Sequence, residues 1–390
     1  MAKKAYLTDV NGIHRKVRKK YLTDESNVFR KVRKAYMSVG GVWRPCFSGG
    51  ELTYYGKITN LSVSRYGLAA TTVGGKALFA GGFASSTSNY KTVDSYDKAL
   101  TRTTATSLSS GRARLGAATV GNHAIFAGGW NTNNSATFVA EAYNAELTRL
   151  SAPNLSVSRQ WMGTTTVGGY GLFAGGFNPA SYVNHNAVDA YDESLTSIRT
   201  VTLTNKVHSV GAATIGGTAI FAGGTNSVSS TSETHYATVD AFDASLTRTS
   251  APALSVARGG ISATSVGKYA IFAGGITKTY NSSKDYSKVV EAYDASLTRT
   301  LCDVLSDSRA YTAATTVDGF AIFFCGEKGS STNSYYTDVY DAGLTKTSFT
   351  HVSQGRKELA ATTVDNKAIF AGGYTNPGGY TSDAYAYTVV

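Results

Sequence analysis

One short signature recurs seven times in this chain and constrains its fold more than any other feature. Each copy ends an apolar run with a phenylalanine, and most copies continue with Ala-Gly-Gly. The phenylalanines are Phe79, Phe126, Phe173, Phe221, Phe272, Phe323 and Phe370. They are spaced by 47, 47, 48, 51, 51 and 47 residues, a period that indicates a radial repeat architecture. A repeat of this size cannot bury both faces of its own sheet, so neighbouring repeats must cover it.

Each repeat predicts four short strands, A to D, separated by turns. An arginine opens strand A, the Gly-Gly pair ends strand B, and a tyrosine marks strand C. The tyrosines are Tyr96, Tyr143, Tyr191, Tyr293, Tyr340 and Tyr385. Small residues four and five positions after the arginine suit strands that crowd around a central channel. The sixth copy, with Cys325 before Gly326, has a single glycine, so we expect a distorted turn there.

The strand count predicts how the repeats close. The A-B-C set occurs seven times, whereas strand D follows only the first six sets. A D-like segment, Glu51-Leu52-Thr53-Tyr54, precedes the first strand A. We therefore expect residues 51–57 to pair with residues 381–389, which removes an exposed sheet edge. The chain over residues 51–390 is thus predicted to be all-β, a seven-bladed β-propeller closed by an N-terminal strand.

These motifs resemble the kelch family of β-propellers over residues 51–390. The match consists of the arginine that opens strand A, the Gly-Gly that ends strand B and the tyrosine of strand C. The resemblance implies a fold and leaves the activity open, because one fold hosts many functions.

The first 46 residues form a separate basic segment. They carry twelve Lys or Arg and three acids, a net +9 of the chain's +11. Lys4-Ala5-Tyr6 recurs at Tyr21 and Tyr36, and Asn11-Gly12 is a hairpin-turn dipeptide. The pattern predicts small β-hairpins with too little apolar area to fold alone. We expect this segment, residues 1–46, to dock on a partner.

The basic segment resembles short repeats near the ends of tail-associated proteins in phages and prophages of Gram-positive bacteria. The resemblance implies a baseplate or fibre component of a virion tail, assembled in the bacterial cytoplasm and present in multiple copies. Residues 1–46 would attach to other tail or particle proteins, and the propeller would face the host. Nucleic-acid binding by the basic segment is a less simple explanation of its charge. We expect no signal peptide, because the first residues hold no apolar run of the necessary length, and no membrane insertion, because no stretch approaches about 18 apolar residues.

Arginines at one repeat position form the first candidate site. Each stands fourteen residues before its phenylalanine, except in the fourth copy, which has Val207. The arginines are Arg65, Arg112, Arg159, Arg258, Arg309 and Arg356. Clustered at a channel mouth, they could hold an anionic sugar or phosphate. Alternatively, each bonds loop carbonyls or a strand C acid such as Asp94, Asp189 or Asp240.

The loops between strands B and C form the second candidate site. They differ in length and content between copies and are rich in Tyr, Trp, Ser and Asn, a composition typical of adaptable binding surfaces. Their aromatic residues are Tyr90, Trp130, Tyr182, Tyr236, Tyr280, Tyr286, Tyr335, Tyr336 and Tyr380. Aromatic faces with amide groups suit sugar rings, so we expect this loop face to bind a bacterial surface carbohydrate. The simpler alternative is that the loops are merely polar and tolerant of change.

No catalytic constellation is evident in the sequence. The six histidines share no metal-ligand spacing, and the three cysteines show no paired spacing. We therefore expect a binding or structural protein without catalytic residues, metal or cofactor. A kelch-type carbohydrate-active enzyme and a purely structural particle component remain the alternatives.

Overall fold

The computed structural model describes residues 50–390 with their side chains, except for residues 86–87, 228–231, 281–282 and 330. Before residue 50 it describes the backbone of two strand pairs. These are Tyr21–Thr23 with Phe29–Lys31, and Lys34–Val39 with Val42–Ser48. The chain divides into two compact units, Met1–Thr53 with Thr388–Val390 and Tyr54–Tyr387. The expected docking of residues 1–46 rests mostly on residues outside those described.

Seven four-stranded sheets, numbered 1 to 7 along the chain, occupy the described residues after residue 50, each in the order A-B-C-D. The seven A strands are Ala69–Val73, Gly116–Val120, Gly163–Val167, Gly211–Ile215, Ser262–Val266, Ala313–Val317 and Ala360–Val364. The B strands are Lys76–Ala80, His123–Ala127, Tyr170–Ala174, Thr218–Ala222, Tyr269–Ala273, Phe320–Phe324 and Lys367–Ala371. The C strands are Val93–Tyr96, Ala140–Tyr143, Ala187–Tyr191, Val239–Phe242, Val290–Asp294, Thr337–Asp341 and Ala384–Val389.

The D strands lie at the outer side of each sheet, next to strand C. In sheets 1 to 6 they are Arg102–Thr104, Arg149–Ser151, Ile198–Thr202, Arg248–Ser250, Arg299–Leu301 and Lys346–Phe349. In sheet 7 the fourth strand is Leu52–Ile58, which lies next to Ala384–Val389. The all-β class predicted from the sequence is confirmed, as are the small four-stranded sheets.

Short hairpins and bridges lie within the connections from strand B to strand C. The hairpins are Phe177–Asn178 with Val183–Asn184, Thr225–Ser227 with Glu233–His235, Ile276–Tyr280 with Ser283–Tyr286, and Glu327–Gly329 with Thr332–Asn333. Two further small sheets join Arg112–Ala113 to Trp130–Asn131, and Arg356–Lys357 to Tyr374–Thr375 and Gly379–Tyr380. These loops therefore begin beside the residues that open strand A.

The hydrophobic cores lie between successive sheets. Leu78 and Val93 of sheet 1 share one cluster with Phe126 of sheet 2. Ile369 of sheet 7 shares another with Phe79 of sheet 1. This arrangement explains why strand B is apolar along its length, since its side chains pack both ways. A single sheet could not be stable by itself.

The phenylalanine of strand B meets an aromatic ring of strand C edge-on in every sheet. Phe79 and Tyr96 lie 5.8 Å apart between ring centroids at an interplanar angle of 89°. In sheet 7 the partner of Phe370 is Tyr387, at 5.9 Å and 87°. The sequence prediction that Tyr385 is the strand C tyrosine of this repeat position is wrong. The equivalent residue is Tyr387, two positions later in strand C of sheet 7.

The Gly-Gly pair forms a close backbone contact between sheets. In each sheet the N–H of the second glycine donates to the backbone carbonyl at the arginine position of the next sheet. Gly82 donates to Arg112 and Gly373 of sheet 7 donates to Arg65 of sheet 1, both at 2.9 Å. A Cβ on the first glycine, Gly81, would lie 2.3 Å from the Arg112 carbonyl oxygen. At Gly81 both the positive φ and this contact disfavour a side chain.

The expected distortion of the sixth turn is wrong. Cys325 adopts the left-handed conformation of the glycines it replaces, with φ of 57°. Gly326 still donates to the Arg356 carbonyl at 2.9 Å. The buried turn is held from both sides, so it tolerates the conformational cost of a non-glycine residue.

Hydroxyl groups seven residues after the arginine position join the A strands. The position holds Thr or Ser in all seven sheets, namely Thr72, Thr119, Thr166, Thr214, Ser265, Thr316 and Thr363. Thr119 donates to the Thr72 carbonyl at 2.6 Å, and Thr72 donates to the Thr363 carbonyl at 3.0 Å. All of these hydroxyls except that of Thr166 donate to a backbone carbonyl of the neighbouring sheet, so these sheets are joined here as well as at the Gly-Gly turn.

We predict that Gly81→Ala destabilises the protein more than Gly75→Ala. Both glycines have φ near 70°, at 67° and 70°, so both substitutions carry a left-handed cost of about 1–2 kcal/mol. A Cβ at Gly75 meets nothing within 4 Å, whereas one at Gly81 collides with the Arg112 carbonyl. Chemical denaturation should show a further loss of about 1–3 kcal/mol for Gly81→Ala. Equal losses would contradict the close-approach explanation.

Candidate functional site

The six arginines predicted as an anion site are buried in ion pairs within their own sheets. Five of the six side chains are fully buried, and Arg356 is nearly so. Their guanidinium-to-carboxylate distances are 2.9 Å for Arg65–Asp94, 2.7 Å for Arg112–Glu141, 2.8 Å for Arg159–Asp189, 2.7 Å for Arg258–Glu291, 2.8 Å for Arg309–Asp338 and 3.5 Å for Arg356–Asp383. The geometry therefore matches the second interpretation, in which each arginine bonds a nearby acid, and no exposed ring of charge forms.

Each strand C acid also holds the loop that leads into strand A. Asp189 accepts hydrogen bonds from the backbone N–H and hydroxyl of Ser156, at 2.8 and 3.0 Å, and from Thr200 at 2.7 Å. Arg159 adds a hydrogen bond to the Phe173 carbonyl at 3.1 Å. The acid thus connects strand C with strand D and with the loop that leads into strand A, which is a structural role.

Sheets 4 and 7 depart from this pattern. In sheet 4 Val207 replaces the arginine, and Asp240 accepts instead from the N–H and hydroxyl of Thr204, at 2.9 and 2.6 Å. In sheet 7 Tyr385 stands where the other sheets carry the acid, and its hydroxyl accepts from Arg356 at 3.3 Å. Asp240 therefore has no partner at the arginine position, and its arginine partner is Arg248 of strand D, at 3.8 Å.

We predict that Arg159→Met lowers the free energy of unfolding by about 3–5 kcal/mol, because it leaves the Asp189 carboxylate buried without its counterion. The control is Arg199→Met in strand D of the same sheet, an exposed arginine that should change stability by less than about 0.5 kcal/mol. Adding Asp189→Asn to Arg159→Met should recover part of the loss. Denaturant titration measures all three, and no recovery in the double variant would contradict the ion-pair account.

The nine predicted loop residues divide into exposed and partly buried groups. The exposed tyrosines are Tyr280 at 63%, Tyr182 at 53%, Tyr335 at 38% and Tyr380 at 36%. They lie on four different hairpins, so the structure does not bring them into one cluster. The partly buried residues are Tyr90, Trp130, Tyr236, Tyr286 and Tyr336.

Several of these side chains serve local contacts. The Tyr286 hydroxyl donates to Glu327 at 2.7 Å, and Tyr236 packs against the core of sheets 3 and 4. Tyr335 stacks on Tyr336 with centroids 5.0 Å apart. The loop aromatics therefore stiffen the hairpins as well as presenting faces to solvent.

Seven residues that sequence analysis did not single out surround a cavity beside these hairpins. Each stands two positions after the arginine position, at the mouth of strand A. We call them the cavity ring, and they are Gly67, Arg114, Trp161, Ser209, Gly260, Tyr311 and Glu358. All seven have positive φ, between 50° and 66°. Together with apolar residues one position further on, they line a cavity of about 310 Å³.

Backbone hydrogen bonds link the cavity ring from sheet to sheet. Gly67 N–H donates to the Glu358 carbonyl at 2.7 Å, Arg114 N–H to the Gly67 carbonyl at 2.6 Å, and Ser209 N–H to the Trp161 carbonyl at 2.8 Å. These N–H groups are already bonded, so they cannot act as an oxyanion hole for a substrate. The ring presents side chains to the cavity, and the side chains decide its chemistry.

An ion pair dominates one side of the cavity. Arg114 and Glu358 form a bidentate pair with both N–O distances at 3.1 Å. The guanidinium carbon lies 4.5 Å from the Trp161 ring centroid and 4.9 Å from the Phe83 ring centroid. Burial lowers the pKa of Arg114, but Glu358 outweighs it and the pKa is raised. The Arg114 guanidinium is therefore charged at neutral pH.

A polar network lies behind Ser209. The His208 ring is within 2.9 Å of the Ser209 and Ser227 hydroxyls through its two nitrogens, and Ser227 donates to Glu233 at 3.4 Å. Burial lowers the pKa of His208 to about 3, with a smaller contribution from His235. The imidazole is therefore neutral at physiological pH, and it serves to orient Ser209 at the cavity wall.

A second charged cluster adjoins Tyr311. Glu327 is buried and accepts from Lys284 at 3.0 Å and from Lys357 at 3.2 Å, in addition to Tyr286. Burial raises the pKa of Glu327, but the two lysines and Tyr286 outweigh it, so the pKa is lowered. The acid and its partners are mutually satisfied and fix the hairpins of sheets 5 and 6.

The sequence carries only an unspecific signal for the cavity ring. The arginine position, with Val207 in the fourth copy, stands two residues earlier, and an apolar residue or threonine follows the ring position. At the ring position the seven copies hold Gly, Arg, Trp, Ser, Gly, Tyr and Glu. The position just before it varies as well, holding Tyr66, Ala113, Gln160, His208, Gly259, Ala310 and Lys357, so variation alone does not single out the cavity ring in the sequence.

Within the described residues no group of three or more His, Cys, Asp or Glu could hold a metal ion. No helix in that part of the chain is long and apolar enough to cross a membrane.

No model of a protein family matches the chain, and no curated protein matches it. Among solved structures, the chain is similar to the structure of YjhT, at 14% identity with a TM-score of 0.58. The similarity covers 75% of this chain and 99% of that one. At this identity it concerns the fold alone, and it shows that the chain has a β-propeller-like all-β fold.

Proposed function

We propose that this protein is a non-catalytic carbohydrate-binding protein whose propeller recognises a bacterial surface glycan. The observation that carries the proposal is the cavity ring. Seven equivalent positions share one backbone conformation and line one cavity, yet they hold two glycines, an arginine, a tryptophan, a serine, a tyrosine and a glutamate. A repeated scaffold that presents different side chains to one cavity is suited to binding a ligand there.

The proposal includes a closed, kelch-like propeller of seven blades. Its support is that the contacts between sheets 7 and 1 are of the same kind as those between other neighbours. Gly373 donates to Arg65 as Gly82 donates to Arg112, and Thr72 donates to Thr363 as Thr119 donates to Thr72. A core cluster also joins the two sheets. If all seven sheets are related by the same contacts, strand A of sheet 7 lies beside strand A of sheet 1 and the ring is closed.

The setting that we propose is a phage or prophage tail. Its support is the sequence of residues 1–46, with their net charge of +9 and their resemblance to tail-associated repeats. These residues would attach the propeller to other particle proteins. Several copies on one particle would turn weak single sites into useful adhesion.

A carbohydrate-active enzyme is the second candidate, favoured by the hydrogen bond between Ser209 and His208. Two observations weigh against it. Six of the seven backbone N–H groups of the cavity ring, from Gly67 through Tyr311, donate to carbonyls, so these six offer no stabilisation to an oxyanion. The second nitrogen of His208 bonds the Ser227 hydroxyl and not a carboxylate. The acid of this network, Glu233, is linked to His208 only through Ser227.

The experiment is a pelleting assay of the full chain with purified bacterial cell walls. We predict that Trp130→Ala with Tyr280→Ala reduces binding, because each aromatic face lost from the loop face removes about 1 kcal/mol of stacking. The control is Tyr55→Ala, which removes a tyrosine of similar exposure, 55%, from the outer strand of sheet 7. It should bind as the parent does, and all variants should keep the parental melting temperature.

Two outcomes would contradict the proposal. The first is a double variant that binds cell walls as well as the parent. The second is release of soluble sugar from the walls by the pure protein, which would establish the enzymatic alternative.

A further inference from the structure

We propose that the cavity takes an uncharged sugar unit with neighbouring hydroxyl groups, and that Arg114 and Glu358 bind it together. This inference rests on the proposed function and names its ligand class. It begins with how the pair is held. Glu358 belongs to sheet 7 and Arg114 to sheet 2, and the pair bridges over Gly67 of sheet 1. A Cβ on Gly67 would lie 3.2 Å from the Glu358 Oε2.

The guanidinium is fixed in place by more than its counterion. Its faces meet the rings of Trp161 and Phe83, and Trp161 in turn stacks on Phe177 with centroids 6.3 Å apart. On the other side Phe83 stacks on Tyr66 at 4.8 Å. A planar cation held between aromatic rings presents its N–H groups in a defined direction, which lowers the entropy lost on binding.

The pair leaves hydrogen-bonding capacity at its edge. Arg114 uses Nε and one Nη2 hydrogen for Glu358, so further N–H donors remain on the guanidinium. Each carboxylate oxygen of Glu358 has a lone pair beyond the one used in the pair. Acceptor and donor therefore lie side by side. Two neighbouring hydroxyls match this arrangement, because one can donate to the carboxylate while the other accepts from the guanidinium.

Charge decides between neutral and ionic ligands. An anion near Arg114 would also lie near the Glu358 carboxylate, which would repel it. A cation near Glu358 would likewise lie near the Arg114 guanidinium and be repelled. The nearby charges are balanced as well, since Lys284 and Lys357 are bonded to Glu327, and Glu233 also acts on Lys284. An ionic ligand would lose its hydration without finding an unpaired opposite charge in the cavity. A hydroxyl group loses less on leaving water, and it can form hydrogen bonds with the charged groups of the pair.

The remaining ring residues suit the body of a sugar. Gly67, Gly260 and Ser209 leave space, and the larger Trp161 and Tyr311 provide apolar wall. A cavity of about 310 Å³ lies at the lower end of the size range of small-molecule sites. This fits a single sugar unit, with the rest of a chain extending towards the hairpins.

The test compares sugars that differ by one group, using the full chain and NMR saturation-transfer titration. The probes are galactose, glucose and mannose, the uronic acids of galactose and glucose, and 2-deoxygalactose. At least one neutral hexose should bind at least tenfold tighter than its uronic acid, and loss of the 2-hydroxyl from galactose should weaken its binding. The variant Glu358→Gln should lose at least tenfold in affinity for the neutral sugar and gain affinity for the uronic acid.

The control is Glu193→Gln, which makes the same change of charge beside the turn at Gly121, at the opposite end of strand A. It should leave both affinities unchanged. Tighter binding of a uronic acid by the parent, or an unchanged neutral-to-acid ratio in Glu358→Gln, would overturn this inference while leaving carbohydrate binding intact. Absence of binding to every sugar and to whole cell walls would overturn the proposed function as well.

Discussion

The structure depends most on one backbone hydrogen bond, from the second glycine of each Gly-Gly pair to the carbonyl at the arginine position of the next sheet. The bond recurs at 2.8–2.9 Å from Gly82 in sheet 1 through to Gly373 in sheet 7. It sets how closely successive sheets approach at this turn, where the first residue of the pair, glycine in six sheets and Cys325 in sheet 6, has a positive φ. The apolar faces of neighbouring B strands can then meet across the gap, and that burial is the main stabilising term for the whole assembly.

The arginine has two tasks that reinforce one another. Its backbone carbonyl accepts from the preceding sheet, and its side chain bonds the strand C acid of its own sheet. Arg159, for example, accepts from Gly129 at 2.9 Å and pairs with Asp189 at 2.8 Å. A residue anchored on both sides fixes the backbone that follows it. The cavity ring lies two residues later, so its conformation is determined by the scaffold, and its side chains are free to vary.

Much of the scaffold could be predicted from the sequence, and the cavity could not. The scaffold rests on local patterns that recur in each repeat: the phenylalanine period, the four strands and the Gly-Gly turn. Because each pattern appears several times in the sequence, it can be recognised with little ambiguity. Tyr387 was missed because Tyr385 offers a similar residue two positions earlier. Cys325 was misjudged because sequence shows the loss of a glycine and not the contacts that hold the turn.

The cavity residues escaped prediction for a different physical reason. Arg114 and Glu358 are separated by 244 residues and come from sheets that are not neighbours. Their pairing depends on Gly67 lacking a side chain between them, a relation that no local pattern contains. The exposed tyrosines, by contrast, were recognised individually, but the sequence did not indicate that they would lie on separate hairpins.

The most direct test of this account is a crystal structure of the protein soaked with a neutral hexose that it binds in solution. The account predicts seven sheets in a closed ring and electron density for the sugar inside the cavity, with its hydroxyls within hydrogen-bond distance of Arg114 and Glu358. Sugar density on the hairpin tips alone, with the Arg114–Glu358 pair untouched, would contradict the claim that the cavity ring is the binding site.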